Sequence, residues 1–232
     1  MSTNNLFPSV VMILRHGEKP GTASSDKDGG PHLSVLGSAR AAALPSLFTP
    51  DPTQPPSSGT QQLCCDLTGE TASQFAGTYG TSGSPAGPAR FPTPDFLFAT
   101  ANSTDSQRPV ETITPIAQAL GLHINDSFTD TPGHKGIKGL KDEILKQTQV
   151  YGGKVILIAW HHKTAPDVAL ALGVPATQLN GWTPWKPGVF DLIFFITWPN
   201  GQANLTVAYQ QLLFGDSAQP VSVTPANSSP SC

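Results

Sequence analysis

The 232-residue chain is 38% hydrophobic and 12% charged, with a formal charge of −3, 22 glycines and 23 prolines. That length suits one sizeable α/β domain, and the acidic balance, with a pI near 6.0, offers no basic field for nucleic acid. No apolar run approaches the ~20 residues of a membrane span, and the cysteines, Cys64 beside Cys65 and a distant Cys232, make neither a disulfide framework nor a zinc spacing.

The first residues, Met1 to Leu6, lack a positive n-region and an apolar h-region. The expectation is a reduced, intracellular, cytoplasmic protein, in which the Asn-x-Ser/Thr triplets at Asn102, Asn125, Asn204 and Asn227 are accidental. The oligomeric state is left open.

Residues 9–14 form a short apolar run that reads as a buried strand, ending in Arg15-His16-Gly17-Glu18-Lys19-Pro20. In open α/β sheets, ligands bind just beyond the carboxyl ends of strands. Arginine there is a planar cation suited to phosphate oxygens. A neutral histidine can serve as a nucleophile or proton carrier, and glycine permits close backbone approach.

A polar loop over 21–31 leads to Ser34, a candidate N-cap. The apolar positions 36, 39, 43, 44 and 47 then recur at helical spacing. Residues 49–94 are rich in Pro, Ser, Gly and Thr and read as a surface excursion, either a partial lid or an insertion without a role. Order returns at 95–100, a second buried strand. Arg108 follows at a strand-to-helix turn, with a helix from Val110 to Leu120 that has Pro109 at its start and Gly121 at its end. Helix amides there favour an anion.

Residues 123–125 suit a short edge strand, 126–136 a loop, and 137–150 a helix with Asp142 and Glu143 outward. The third apolar run, 154–160, ends in His161-His162-Lys163, and a helix over 167–172 is closed by Gly173. The segment 178–188 is rich in Trp and Pro. Residues 189–198 and 205–213 suit an edge hairpin around Pro199-Asn200-Gly201. The tail from about 215 is expected to fray. The whole is expected to be a single domain over 1–232.

If the three strands are neighbours in one parallel sheet, Arg15, His16, Arg108, His161 and His162 converge. Two arginines can hold one phosphoryl group through several charge-assisted bonds. One histidine can attack phosphorus, and a second can stabilise the developing charge. His16, His161 and His162 could instead ligate a metal, but the arginines repel a cation, and adjacent histidines on extended backbone point apart. Neither a metal nor a cofactor is expected; the expected partner is a small phosphorylated substrate or phosphate.

The chain resembles the histidine phosphatase superfamily, which includes the phosphoglycerate mutase-like and acid phosphatase proteins. The matching pieces are Arg15-His16-Gly17-Glu18, Leu33-Ser34-x-x-Gly37-x-x-Arg40-Ala41, Arg108-x-x-Glu111-Thr112 and Trp160-His161-His162-Lys163-Thr164-x-Pro166. The resemblance implies a three-layer αβα fold with a mixed, mostly parallel sheet. It also implies a phosphorylated nucleophile at His16, phosphate-pocket arginines at Arg15 and Arg108, and a second pocket histidine at His161 or His162, with His161 preferred.

The chain departs from the family at the general acid. No Asp follows the second histidine, and no recognisable mutase acid loop is present. Glu18, Asp126 and Asp130 are candidate proton donors, with Glu70 a further one. The leading reading is a metal-independent phosphomonoesterase working through a phosphohistidine. The alternatives are a weak or inactive phosphate-ligand binding protein and a phosphotransfer mutase. Without an acid, only good leaving groups such as aryl phosphates or phosphohistidine would react.

Overall fold

The computed structural model describes residues 6–21, 29–50 and 89–216. Most of the excursion, including Cys64, Cys65 and Glu70, lies outside those residues, as do the terminal residues beyond Asp216.

Six strands form one sheet in the order β3-β2-β4-β1-β5-β6. They are β1 (Val10–Arg15), β2 (Phe96–Thr100), β3 (Ile124–Phe128), β4 (Val155–Trp160), β5 (Leu192–Thr197) and β6 (Asn204–Tyr209). β1, β2, β3 and β4 run parallel, while β5 and β6 add an antiparallel pair beside β1. The sheet is therefore mixed and mostly parallel, as expected. β1 and β4 are buried along their whole length, which is why they read as continuous apolar runs and not as alternating ones.

Helices cover both faces. On one side lie α1 (Val35–Ala43), α2 (Pro45–Phe48) and α3 (Arg108–Leu120), packed on Val10, Met12, Leu14, Leu97 and Leu157. On the other lie α4 (Ile137–Lys146), α5 (Thr148–Tyr151) and α6 (Ala165–Ala171), packed on Val11, Ile13, Phe98, Ile156 and Ile158. Each fully buried aliphatic side chain contributes roughly 1.5–3 kcal/mol of transfer free energy, so the two faces together hold the sheet between its helices.

Register then sets the site. Arg15 pairs with Trp160 across β1 and β4, and Ala99 pairs with Ala159 across β2 and β4. The parallel strands thus end together on one rim. The His16 amide donates to the Trp160 carbonyl at 3.2 Å, which carries that register one residue past the ladder.

Several expectations need correction. Asp126 to Phe128 belong to β3 and not to a loop; backbone pairing with β2 holds this polar stretch extended. The helix expected over 137–150 breaks at Gln147 into α4 and α5. Asp142 and Glu143 are half-buried and bonded to Lys146 and to the Tyr151 hydroxyl. α1 begins after the expected cap, with the Ser34 hydroxyl accepting from the Gly37 amide at 3.0 Å. Its buried face, however, is Gly37, Arg40 and Ala41, while Val35 and Leu36 are exposed. The chain at 215–216 is pinned, because Asp216 pairs with Arg40 at 2.7 Å.

Candidate active site

The site is built from four strand ends. β1 delivers Arg15 and His16, β4 delivers His161, the turn after β2 delivers Ser106 and Arg108, and the turn after β3 delivers Asp130. All but Asp130 and His161 are buried.

His16 lies at the centre. Its Nδ1 is 2.7 Å from the Gly17 carbonyl oxygen, which can only accept, so Nδ1 carries the hydrogen and Nε2 keeps its lone pair. Burial, followed by the Arg15 charge, holds its pKa well below the ordinary histidine value; the neighbouring His161 and Arg108 push the same way. A neutral, oriented imidazole is what nucleophilic attack requires. The His161 ring stands edge-on to it, with centroids 5.6 Å apart and planes at 82°.

The backbone around His16 is fixed from below. The Gly17 amide donates to Thr112 Oγ1 at 2.8 Å, and that hydroxyl donates to the Arg108 carbonyl at 2.7 Å. A Cβ on Gly17 would lie 2.9 Å from the Gly37 carbonyl oxygen, and one on Gly37 would lie 2.2 Å from the Glu18 carbonyl oxygen. The N-terminus of α1 can press against the loop that follows His16 only because both positions are glycine.

Arg15 is held by the segment that precedes β5. Its Nη1 donates to the carbonyls of Pro187 and Val189 and, at 3.5 Å, of Lys186, and its guanidinium carbon lies 3.7 Å over the Phe190 ring. Arg108 Nη1 donates to the Gly30 carbonyl at 2.8 Å. Both guanidinium charges push the His16 pKa down.

Of the two adjacent histidines, the one whose ring meets His16 is His161. Its Nδ1 lies 2.9 Å from Asp130 Oδ2 and its Nε2 lies 3.2 Å from Ser106 Oγ. His162 is buried next to it in the chain and supplies neither of these bonds.

The candidate proton donors separate clearly. Glu18 is not available for that role: Arg40 donates to both its oxygens, at 2.7, 3.0 and 3.1 Å, which makes it a structural carboxylate. Asp126 sits within edge strand β3, and its carboxylate makes no bond to the site among the described residues. Asp130 does reach the site, but through His161. That hydrogen bond lowers its pKa, with the His161 and Lys163 charges adding to the effect, so it stands as a carboxylate and not as an acid.

Three residues in the site were not singled out for a role there from the sequence. Ser106 comes from a polar turn with several equivalent hydroxyls, and Thr112 lies in a matched motif that assigns it no contact. Phe190 precedes a strand, where an aromatic residue reads as core. Its ring stands 6.4 Å from the His16 ring at 62°.

Among the described residues no helix is long and apolar enough to cross a membrane. No protein-family model and no curated protein matches the chain. Among solved structures, a protein of Agrobacterium tumefaciens described as a candidate phosphohistidine phosphatase SixA shares 14% identity, covering 86% of this chain and 98% of its own, at a TM-score of 0.45. A mycobacterial protein called hydrolase 1 shares 12% identity over 88% of this chain and 100% of its own, also at 0.45. A second SixA candidate, from Nakamurella multipartitia, shares 14% over 86% and 95%, at 0.39. At such distances the likeness does not assign a function, whereas the residues at the rim bear on it directly.

Proposed function

We propose that this chain is a phosphatase of the histidine phosphatase superfamily that hydrolyses a phosphomonoester through a phosphohistidine on His16. The observation that carries the reading is the state of His16. It is buried, oriented through Nδ1 to the Gly17 carbonyl, and held neutral beside two arginines and a second histidine. A buried neutral imidazole facing so much positive charge is arranged to meet an anion and attack it.

In this reading His16 Nε2 attacks phosphorus, Arg15 and Arg108 neutralise the phosphoryl oxygens, and His161 contacts one of them. The arginine field replaces a metal, so activity should survive chelation. The test is incubation with a 32P-labelled aryl phosphate followed by rapid quench. The wild type should carry acid-labile, alkali-stable label, and His16→Ala should carry none and lose turnover. Full turnover in His16→Ala would end the proposal.

One observation favours a second reading, a phosphate-ligand binding protein without turnover. Arg15 Nη1 is already engaged by carbonyls of residues 186–189, which spends part of its donor capacity. Calorimetric phosphate binding with no hydrolysis across a substrate panel would decide for it.

A further inference from the structure

The sequence offers carboxylates as the acid, and the structure ties one to Arg40 and leaves another away from the rim. It also makes a different arrangement, a carboxylate placed behind a histidine. Asp130 lies on a turn closed by bonds from the Thr129 amide to the Lys135 carbonyl at 2.7 Å and from the Ile137 amide to the Thr131 carbonyl at 2.8 Å. That turn presents Oδ2 to His161 Nδ1 at 2.9 Å. The other ring nitrogen, Nε2, lies 3.2 Å from Ser106 Oγ, and the imidazole as a whole stands edge-on to His16 with centroids 5.6 Å apart.

The bonding rules narrow what His161 can do. An ionised carboxylate only accepts, so Nδ1 must carry a hydrogen. The non-bridging oxygens of a phosphomonoester dianion also only accept, so Nε2 must carry one as well when the dianion is bound. A His161 with a single proton would aim a lone pair at the substrate. Ser106, whose hydroxyl can donate or accept, satisfies Nε2 in either state when the site holds no anion. Productive binding therefore loads His161 with a second proton, and the Asp130 carboxylate balances the added charge.

From this geometry we infer that the Asp130–His161 pair is the proton donor of the site, with His161 Nε2 giving the proton and Asp130 acting as its positioning residue. The inference rests on the phosphatase reading above. His16 Nε2 donates its electron pair to phosphorus and forms the P–N bond. The P–O bond to the leaving group breaks, its electron pair goes to that oxygen, and the oxygen takes the proton from His161 Nε2. In the second half, His161 Nε2 takes a proton from water, and the resulting hydroxide bonds to phosphorus. The P–N pair then returns to His16, phosphate departs and His161 is again doubly protonated. Each cycle consumes one ester and one water and yields one alcohol and one phosphate.

A proton donor matters in proportion to how badly the leaving group needs the proton. The experiment compares wild type and Asp130→Asn on p-nitrophenyl phosphate and on glycerol 2-phosphate, with 32P labelling of His16 as a control. His161 tautomers are read by 15N NMR on the same proteins. The expected result is a loss of kcat/KM on the alkyl ester on the order of 10²-fold, a small loss on the aryl ester, and loss of the fixed Nδ1-protonated signature. Equal losses on both esters with an unchanged tautomer would overturn the inference, as would a wild type that labels His16 but never turns over the alkyl ester. A wild type that fails to label His16 at all would instead remove the phosphatase reading. In that case the tautomer measurement still decides whether Asp130 holds Nδ1.

Discussion

His16 and His161 face each other across the β1–β4 boundary, with ring centroids 5.6 Å apart and planes at 82°. Their strands pair residue for residue up to Arg15 and Trp160, so the two rings meet because the ladder delivers them at the same height. For this reason His161→Gln is expected to slow the phosphorylation of His16 while leaving the fold intact. Rapid-quench labelling should show a slower approach to the phosphoenzyme, with a thermal melt close to wild type.

His16 resists protonation because it is buried next to Arg15. Its nucleophilic form should thus persist below pH 6.5, and the acid limb of the kcat/KM profile should fall below that value. The same shift acts on stability. A group whose folded pKa is depressed supports the fold above its unfolded value and loses that support as pH falls toward the folded one. Asp130, lowered chiefly by its bond to His161, acts with the same sign from a lower starting value. Stability should therefore decline on acidification from about pH 6.5, and His16→Ala should flatten the upper part of that decline in urea titrations.

Arg108 approaches the site from the first turn of α3. Arg108→Ala should chiefly weaken phosphate binding, by about 1.5–3 kcal/mol if one charged hydrogen-bonding group is lost. Inhibition by inorganic phosphate measures this directly, and an unchanged inhibition constant would remove Arg108 from the pocket.

Arg40 ties Glu18, in the loop after β1, to Asp216 and Gln210 near the end of the described chain. Both carboxylates are largely buried there. Arg40→Met should cost ~3–5 kcal/mol, because it strands two acids in a low-dielectric pocket. Adding Glu18→Gln and Asp216→Asn should return part of that loss in chemical denaturation.

The strands were legible in the sequence because they are apolar on both faces, and a run such as Val10 to Leu14 is too short and too rich in β-branched residues to favour a buried helix. The face of α1 was not. Periodicity selects Leu36 and Ala39, yet the helix buries Gly37 and Arg40. The reason is that the Glu18 backbone presses on Gly37 and that carboxylates distant in the chain surround Arg40. The second half of β3 was hidden for a related reason: Asp126 and Ser127 have weak strand preference, and pairing with β2 overrides it. Asp130 could be named as a candidate, but its service to His161 depends on the turn after that strand, which composition does not encode.

The Val189 carbonyl accepts from Arg15 Nη1 at 3.0 Å and from the indole Nε1 of Trp185 at 3.0 Å. Trp185 is buried, so its emission reflects the same oxygen that steadies the guanidinium. An anion that draws on Arg15 would perturb that shared acceptor and make Trp185 an optical gauge of occupancy. Titration of phosphate should change the tryptophan fluorescence, and Trp185→Phe should silence the change while binding continues.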